Sequence, residues 1–154
     1  MVHDEVHRVT GLNHLTFAVR DLDRSIKFYT DLLGLSIRML GPNSAYLEAG
    51  TLWLALVVDA DARRGPLPEY SHAAFSVSQS DLPLLAERLA RANVTRWQEA
   101  GNSDSFYFLD PDGHKLELHC GDLRSRLKSR AAEAVPGVTI HELSDSRAST
   151  RFVG

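Results

Sequence analysis

The sequence predicts an α+β protein made of two βαβββ modules that form a cupped sheet. Two segments share the pattern His-x-small-Phe-small-Val: His14–Val19 inside Asn13–Val19, and His72–Val77 inside Ser71–Val77. Each is followed by a helical spacing of apolar residues and then by short extended pieces, the signature of an internal duplication. A third segment, Asp110-Pro111-Asp112-Gly113-His114, is a tight turn that feeds the alternating run Lys115–His119. One copy alone leaves sheet edges open, so the copies are expected to pair edge to edge, within the chain or in a dimer.

The elements follow in order. Residues 1–10 carry no periodic pattern and read as an extension. In the strand over about 12–20, Leu15, Phe17 and Val19 share one face, and His14, Thr16 and Ala18 the other. Asp21 is a good N-cap for a helix presenting Leu22, Ile26, Tyr29 and Leu33, which Gly34 terminates. Extended pieces near 35–40, 45–49 and 51–58 are separated by Gly41-Pro42-Asn43-Ser44 and Gly50. Residues 11–58 thus make the first module, and the polar, turn-rich segment 59–69 is a linker. The second module, 70–121, repeats the order: a strand near 70–78, a helix over 82–92 with Pro83 in its first turn, and strands near 94–99, 104–109 and 114–120. Asp122 caps a C-terminal helix over 122–132, and 133–154 is a weakly patterned extension.

Composition bounds the function. The 154 residues suit one domain or two small modules sharing a core, with 44% hydrophobic and 24% charged residues. A net charge of −3 without dense basic runs argues against nucleic-acid binding. No apolar run is long enough to span a bilayer, and the polar, acidic N-terminus is unlike a secretory signal. The single cysteine, Cys120, has no internal partner, which points to a reducing cytoplasm and to a packed residue in place of a nucleophile.

The chemistry concentrates on three residues. The helix-packing faces of the two histidine strands are already supplied by apolar side chains. His14 and His72 therefore fall on the concave face, among small or hydroxyl neighbours. Glu117 occupies the inward face of the last strand of the second module, and the equivalent strand of the first, Thr51–Val57, has no ligand residue. Two imidazoles and one carboxylate suit a divalent ion such as Mn, Fe, Co, Ni or Zn and leave coordination positions open for substrate. Such an ion polarises a substrate oxygen as a Lewis acid. His114 is out of phase with Glu117; His119 is in phase and reads as a residue supporting the ligands. Tyr46 and Trp53 are candidates for lining the cavity.

The sequence resembles the vicinal oxygen chelate (glyoxalase) superfamily, and within it the metal-dependent fosfomycin resistance thiol transferases of the glutathione transferase type. The resemblance rests on Gly11–Thr16, Phe28-Tyr29-x-Asp31-Leu32-Leu33-Gly34, Ala45–Glu48, Leu52–Leu54, Tyr70–His72, Asp104–Glu117 and Gly121–Leu127, and spans about 11–130. The last two stretches together are its most specific part. It implies a domain-swapped homodimer binding Mn²⁺ through His14 of one subunit and His72 and Glu117 of the other. It also implies that a thiol such as glutathione attacks the epoxide of fosfomycin. Thr16 is implied near the epoxide oxygen, and Ser105, Tyr107 and Arg126 around the phosphonate. Arg126 offers a planar fork suited to such an anion.

Three departures accompany the resemblance. Gln98 stands where relatives place a lysine beside the substrate. The loop Glu99–Asp104 is one residue shorter than the loop that holds an activating K⁺ in glutathione-using members, which leaves potassium dependence open. Segment 40–44 lacks their tryptophan and glutamine near the thiol. The alternatives are an epoxide hydrolase using water, with Glu48 as the candidate base, a ring-cleaving non-haem iron dioxygenase, and a drug-sequestering protein without chemistry.

Overall fold

The computed structural model describes residues 7–143. Strand β1 (His14–Val19) leads into helix α1 (Leu22–Lys27), whose N-cap Asp21 accepts from the Arg24 amide at 3.0 Å. The helix widens into a π-helical turn over Phe28–Leu32 and stops where Gly34 takes φ +78°. Strands β2 (Ser36–Leu40), β3 (Ser44–Ala49) and β4 (Leu52–Val58) complete the first module. Its four-stranded sheet runs β1-β4-β3-β2, with β1 and β4 parallel and the other pairs antiparallel.

The second module comprises β5 (Ala73–Ser76), α2 (Leu82–Arg91), β6 (Ser105–Leu109) and β7 (Lys115–His119), with a sheet ordered β5-β7-β6. Here the βαβββ expectation is corrected: residues 94–99 form no strand. The segment reaches β6 through a single backbone bond, Leu109 N–H to the Thr95 carbonyl at 2.9 Å. Trp97 turns in to donate its indole N–H to the Leu116 carbonyl at 2.9 Å. An indole anchored this way replaces a ladder with one side-chain bond. The edge-to-edge pairing of the modules, expected within the chain or in a dimer, is not made within the chain among the described residues. Among the described residues the two sheets share no strand pairing, and β1 and β5 each end a sheet. Helix α3 (Leu123–Glu133) begins on a capping box between Asp122 and Ser125.

One core joins the modules. Val19, Tyr29, Leu47, Leu54 and Leu56 of the first cluster with Leu89, Phe108, Leu116 and Leu118 of the second. Each such large apolar side chain contributes about 1.5–3 kcal/mol by leaving water. The polar seam between the modules centres on the Asp110 turn. Asp110 Oδ2 accepts from the Tyr29 hydroxyl and pairs with His114 Nδ1, both at 2.7 Å. Its Oδ1 accepts from the backbone amides of Asp112 and His114. Asp112 accepts from the Arg20 amide, the Arg24 guanidinium and the Ser25 hydroxyl. The His114 ring stacks on Phe17 at 4.4 Å. Burial and the Asp110 charge push the Tyr29 phenol well up. Burial would also raise the Asp110 carboxyl, but the bond and charge of His114 and the Tyr29 hydroxyl outweigh it and hold it below its ordinary value.

Two outcomes are expected. A Cβ on Gly113, which has φ +94°, would sit 2.3 Å from the Gly65 backbone of the linker. Gly113→Ala should therefore cost roughly 2–6 kcal/mol in a urea unfolding experiment. Because the folded Asp110 carboxyl lies below its unfolded value, its stabilisation is complete above the ordinary carboxylate range. It is lost as pH falls through the lower folded value. Unfolding free energy should decline below about pH 4, and decline less in Asp110→Asn.

Candidate metal and substrate site

Antiparallel pairing of β6 and β7 sets Tyr107 opposite Glu117 and Ser105 opposite His119. Parallel pairing of β5 and β7 sets Ala74 beside Glu117, so His72, just before β5, overhangs that carboxylate. The result is a cleft of about 430 Å³ containing His72, Glu117, Ser105, Tyr107, Gln98 and Arg126. Gly121, at φ +100°, leads into the Asp122–Ser125 capping box and so fixes the start of the helix carrying Arg126. Gln98 donates its amide to the Tyr70 hydroxyl at 3.1 Å. Burial pushes the Tyr107 phenol up, although its hydrogen bond with Ser105 works against that.

His72 and Glu117 show a donor arrangement suited to a cation. His72 Nδ1 lies 3.0 Å from the Tyr70 carbonyl, an acceptor only, so this nitrogen carries the proton. The other nitrogen, Nε2, lies 3.0 Å from Glu117 Oε2. In the neutral ring Nε2 is a bare lone pair facing an anionic oxygen. Only a cation between them, a proton or a metal ion, makes that contact favourable. With the Glu117 side chain only 9% exposed, water relieves little of the repulsion. An imidazole nitrogen and a carboxylate oxygen fit a borderline divalent ion.

The remaining expected residues lie elsewhere. His14, Thr16, Tyr46 and Trp53 share one exposed face of the first sheet, through the registers His14 with Trp53, Thr16 with Ala55 and Tyr46 with Ala55. His14 stacks on Trp53 at 4.3 Å, and Trp53 meets Tyr46 edge-on at 5.0 Å. Within the chain, then, the three expected ligands are not gathered; His14 is apart from the cleft. Glu48 on the same face is bound by Arg38 at 2.9 Å. Among the described residues, one other trio of possible ligands is close-set: Asp110, Asp112 and His114. All four of its carboxylate oxygens already receive hydrogen bonds, and Arg20 and Arg24 flank Asp112. Positive charge fills that place, which makes it a poor cation site.

Sequence reasoning missed Tyr70 and Trp97. Their rings stand edge-on to each other at 5.6 Å and lie 5.2 and 5.3 Å from the His72 ring. Tyr70 precedes His72 by two positions, and that period-two spacing was a usable signal; Trp97 lies in the segment misread as a strand. Cys120 has its thiol pushed up by burial and by Asp104, which leaves it a poor nucleophile.

The two modules packed on one core, with an imidazole–carboxylate cleft on the second sheet, are the architecture to set beside known proteins. The chain belongs to the Glyoxalase/Bleomycin resistance protein/Dioxygenase superfamily, whose model matches residues 11–118. It is 49% identical over 120 residues to the glutathione transferase FosA of Serratia marcescens, covering 76% of this chain and 85% of that one. It is 38% identical over 124 residues to the metallothiol transferase FosB of Lysinibacillus sphaericus, covering 77% and 88%. Among solved structures it resembles the fosfomycin resistance protein FosX from Listeria monocytogenes with Mn(II) and sulfate ion. That match has TM-score 0.67 and 26% identity, over 80% of this chain and 99% of that one. FosX from Mesorhizobium loti matches with TM-score 0.64 and 29% identity, over 78% and 99%.

If the His72–Glu117 pair holds a divalent ion, Glu117→Ala should remove stoichiometric Mn²⁺ binding, read by electron paramagnetic resonance, while circular dichroism stays native. Undiminished binding would place the ion elsewhere.

Proposed function

We propose that this protein inactivates fosfomycin by adding a thiol, glutathione being the first candidate, to its epoxide, with Mn²⁺ as cofactor. The observation that carries this reading is the placement of the His72–Glu117 pair in one cleft with Arg126, Ser105 and Tyr107. Its relatives' names, a glutathione transferase and metallothiol transferases, support it. The cleft sets an anion-binding group beside a cation-binding pair, which matches a small phosphonate carrying an electrophilic oxygen ring.

His72 and Glu117, with His14 of a second copy, would hold the ion. When bound, the ion supplies Lewis acidity to the epoxide oxygen. Arg126 and the hydroxyls of Ser105 and Tyr107 bind the phosphonate oxygens and so orient the ring carbon toward the thiol. Thr16, two residues from His14 on the same face, donates its hydroxyl beside the opening oxygen. The thiolate sulfur bonds to the ring carbon, that carbon's bond to oxygen breaks, and the oxygen takes up a proton. Tyr46, Trp53 and Gln98 line the substrate space.

The sheet edges support a second copy as part of this reading. β1 carries His14 and β5 follows His72, and among the described residues each lacks a neighbour on one side. Laying β1 of one copy beside β5 of another would bring His14 toward the His72–Glu117 pair and would cover Tyr46 and Trp53, which are 38% and 37% exposed. The homodimer is therefore part of the proposal, and a reducing cytoplasm suits both its thiol substrate and its single cysteine. Hydrolysis is the weaker reading, because the candidate base Glu48 is engaged by Arg38 through two hydrogen bonds at 3.1 and 2.9 Å. The anion-binding trio likewise favours a phosphonate over the aromatic substrate of a dioxygenase.

Phosphorus NMR of fosfomycin with Mn-loaded protein, given glutathione, cysteine, bacillithiol or no thiol, tests the proposal. A new resonance that requires thiol is expected, and repeating the run in sodium in place of potassium buffer reads any K⁺ activation. Turnover without thiol would support hydrolysis, and no change in any tube would remove fosfomycin as substrate. Arg126→Ala should raise the fosfomycin KM by about tenfold or more, the loss of one charged hydrogen bond, while leaving Mn²⁺ affinity unchanged.

A further inference from the structure

His119 is unused by the chemistry above, yet it touches both halves of the cleft. Its Nδ1 lies 2.9 Å from Ser105 Oγ and 3.1 Å from Glu117 Oε1. A single ring nitrogen meets two groups here, and only one protonation pattern satisfies both. Were Nδ1 bare, it would accept from Ser105 but aim its lone pair at a carboxylate oxygen. With a proton on Nδ1, it donates to Glu117 and to Ser105 in a three-centre bond. The neutral Nδ1–H tautomer and the charged ring both provide that proton, so the conclusion is independent of the ring's charge. Ser105 then acts as acceptor toward His119, which leaves its own hydroxyl proton to be donated to Tyr107 or to an arriving anion.

We propose that His119 is a positioning residue that couples the cation-binding carboxylate to the anion-binding hydroxyl. Its Nδ1–H holds Glu117 Oε1, so that Oε2 stays turned to His72, and the same proton makes Ser105 a donor aimed into the cleft. The coupling rests on β-sheet register: Ser105 and His119 are a facing pair, and Glu117 is two residues along the same face. This deepens the proposed function and rests on its assignment of Glu117 to the metal and Ser105 to the phosphonate.

The test compares His119→Ala with His119→Asn, whose side-chain amide N–H occupies the place of Nδ1–H. Mn²⁺ affinity is read by electron paramagnetic resonance and the fosfomycin KM by phosphorus NMR. His119→Ala should weaken Mn²⁺ binding 10–100-fold and raise KM, with His119→Asn restoring both. In a Ser105→Ala background, His119→Ala should still weaken Mn²⁺ binding but add nothing to KM. In metal-free wild-type protein, ring nitrogen NMR should show a proton on Nδ1 of His119, assigned by its disappearance in His119→Asn. A bare Nδ1, or unchanged Mn²⁺ affinity in His119→Ala, would overturn the inference while leaving the metal site standing. Wild-type protein that binds no Mn²⁺ would overturn the inference together with the proposed function.

Discussion

Asp110 is one buried carboxylate on which the arrangement of both modules depends. A negative charge with almost no water access is tolerable only if every lone pair is met, and here Tyr29, His114 and two backbone amides meet them. The amides close the turn that launches β7, so the same bonds that satisfy the charge set the direction of the strand carrying Glu117 and His119. Tyr29 comes from the first module, which means that the turn of the second module is complete only when the first is packed on it. Glycine at 113 is the steric counterpart: the linker backbone passes where any Cβ would stand. Removing one partner leaves an unsatisfied buried group, a cost of about 1–3 kcal/mol that falls on both modules at once.

This packing leaves the two concave faces on separate sheets, and that separation shapes the function. One face offers an imidazole, a hydroxyl and two aromatic rings on a sheet whose edge strand is free. The other offers an imidazole–carboxylate pair, a guanidinium and two more hydroxyls, also beside a free edge. Each face exposes groups whose usefulness depends on an opposing surface. In the proposed homodimer a second copy would supply that surface, its β1 laid beside β5.

The cleft also shows how strand register does chemical work. Facing pairs on β6 and β7 place Tyr107 at Glu117 and Ser105 at His119, so the residues that would bind an anion and those that would bind a cation alternate along two adjacent strands. His119 links the two sets because a pleated strand returns to the same face every second residue. Gln98 and Tyr70, joined by a hydrogen bond, form a neutral pair at the cleft and leave Arg126 as the cation lining it among the described residues.

By itself the sequence determined what local pattern can determine. Alternation gave the strands around His14, Phe75, Phe106 and Glu117, helical spacing gave α1 and α2, and Asp21 and Asp122 marked helix starts that are capped in the structure. Period two also placed His14 with Thr16, and Glu117 with His119, on common faces. The segment 94–99 was misread because its alternation serves a single indole anchor at Trp97, and a hydrogen bond to a distant carbonyl leaves no mark in local periodicity. The Asp110–Tyr29 bond was illegible for the same reason, since its partners are 81 residues apart. Only the tertiary structure decided which faces meet. It packed the helices of both modules into one core, kept His14 away from His72 and Glu117 within the chain, and left β1 and β5 open. Contacts across sheets are set by packing between elements, and that information is not carried by the spacing of residues within any one of them.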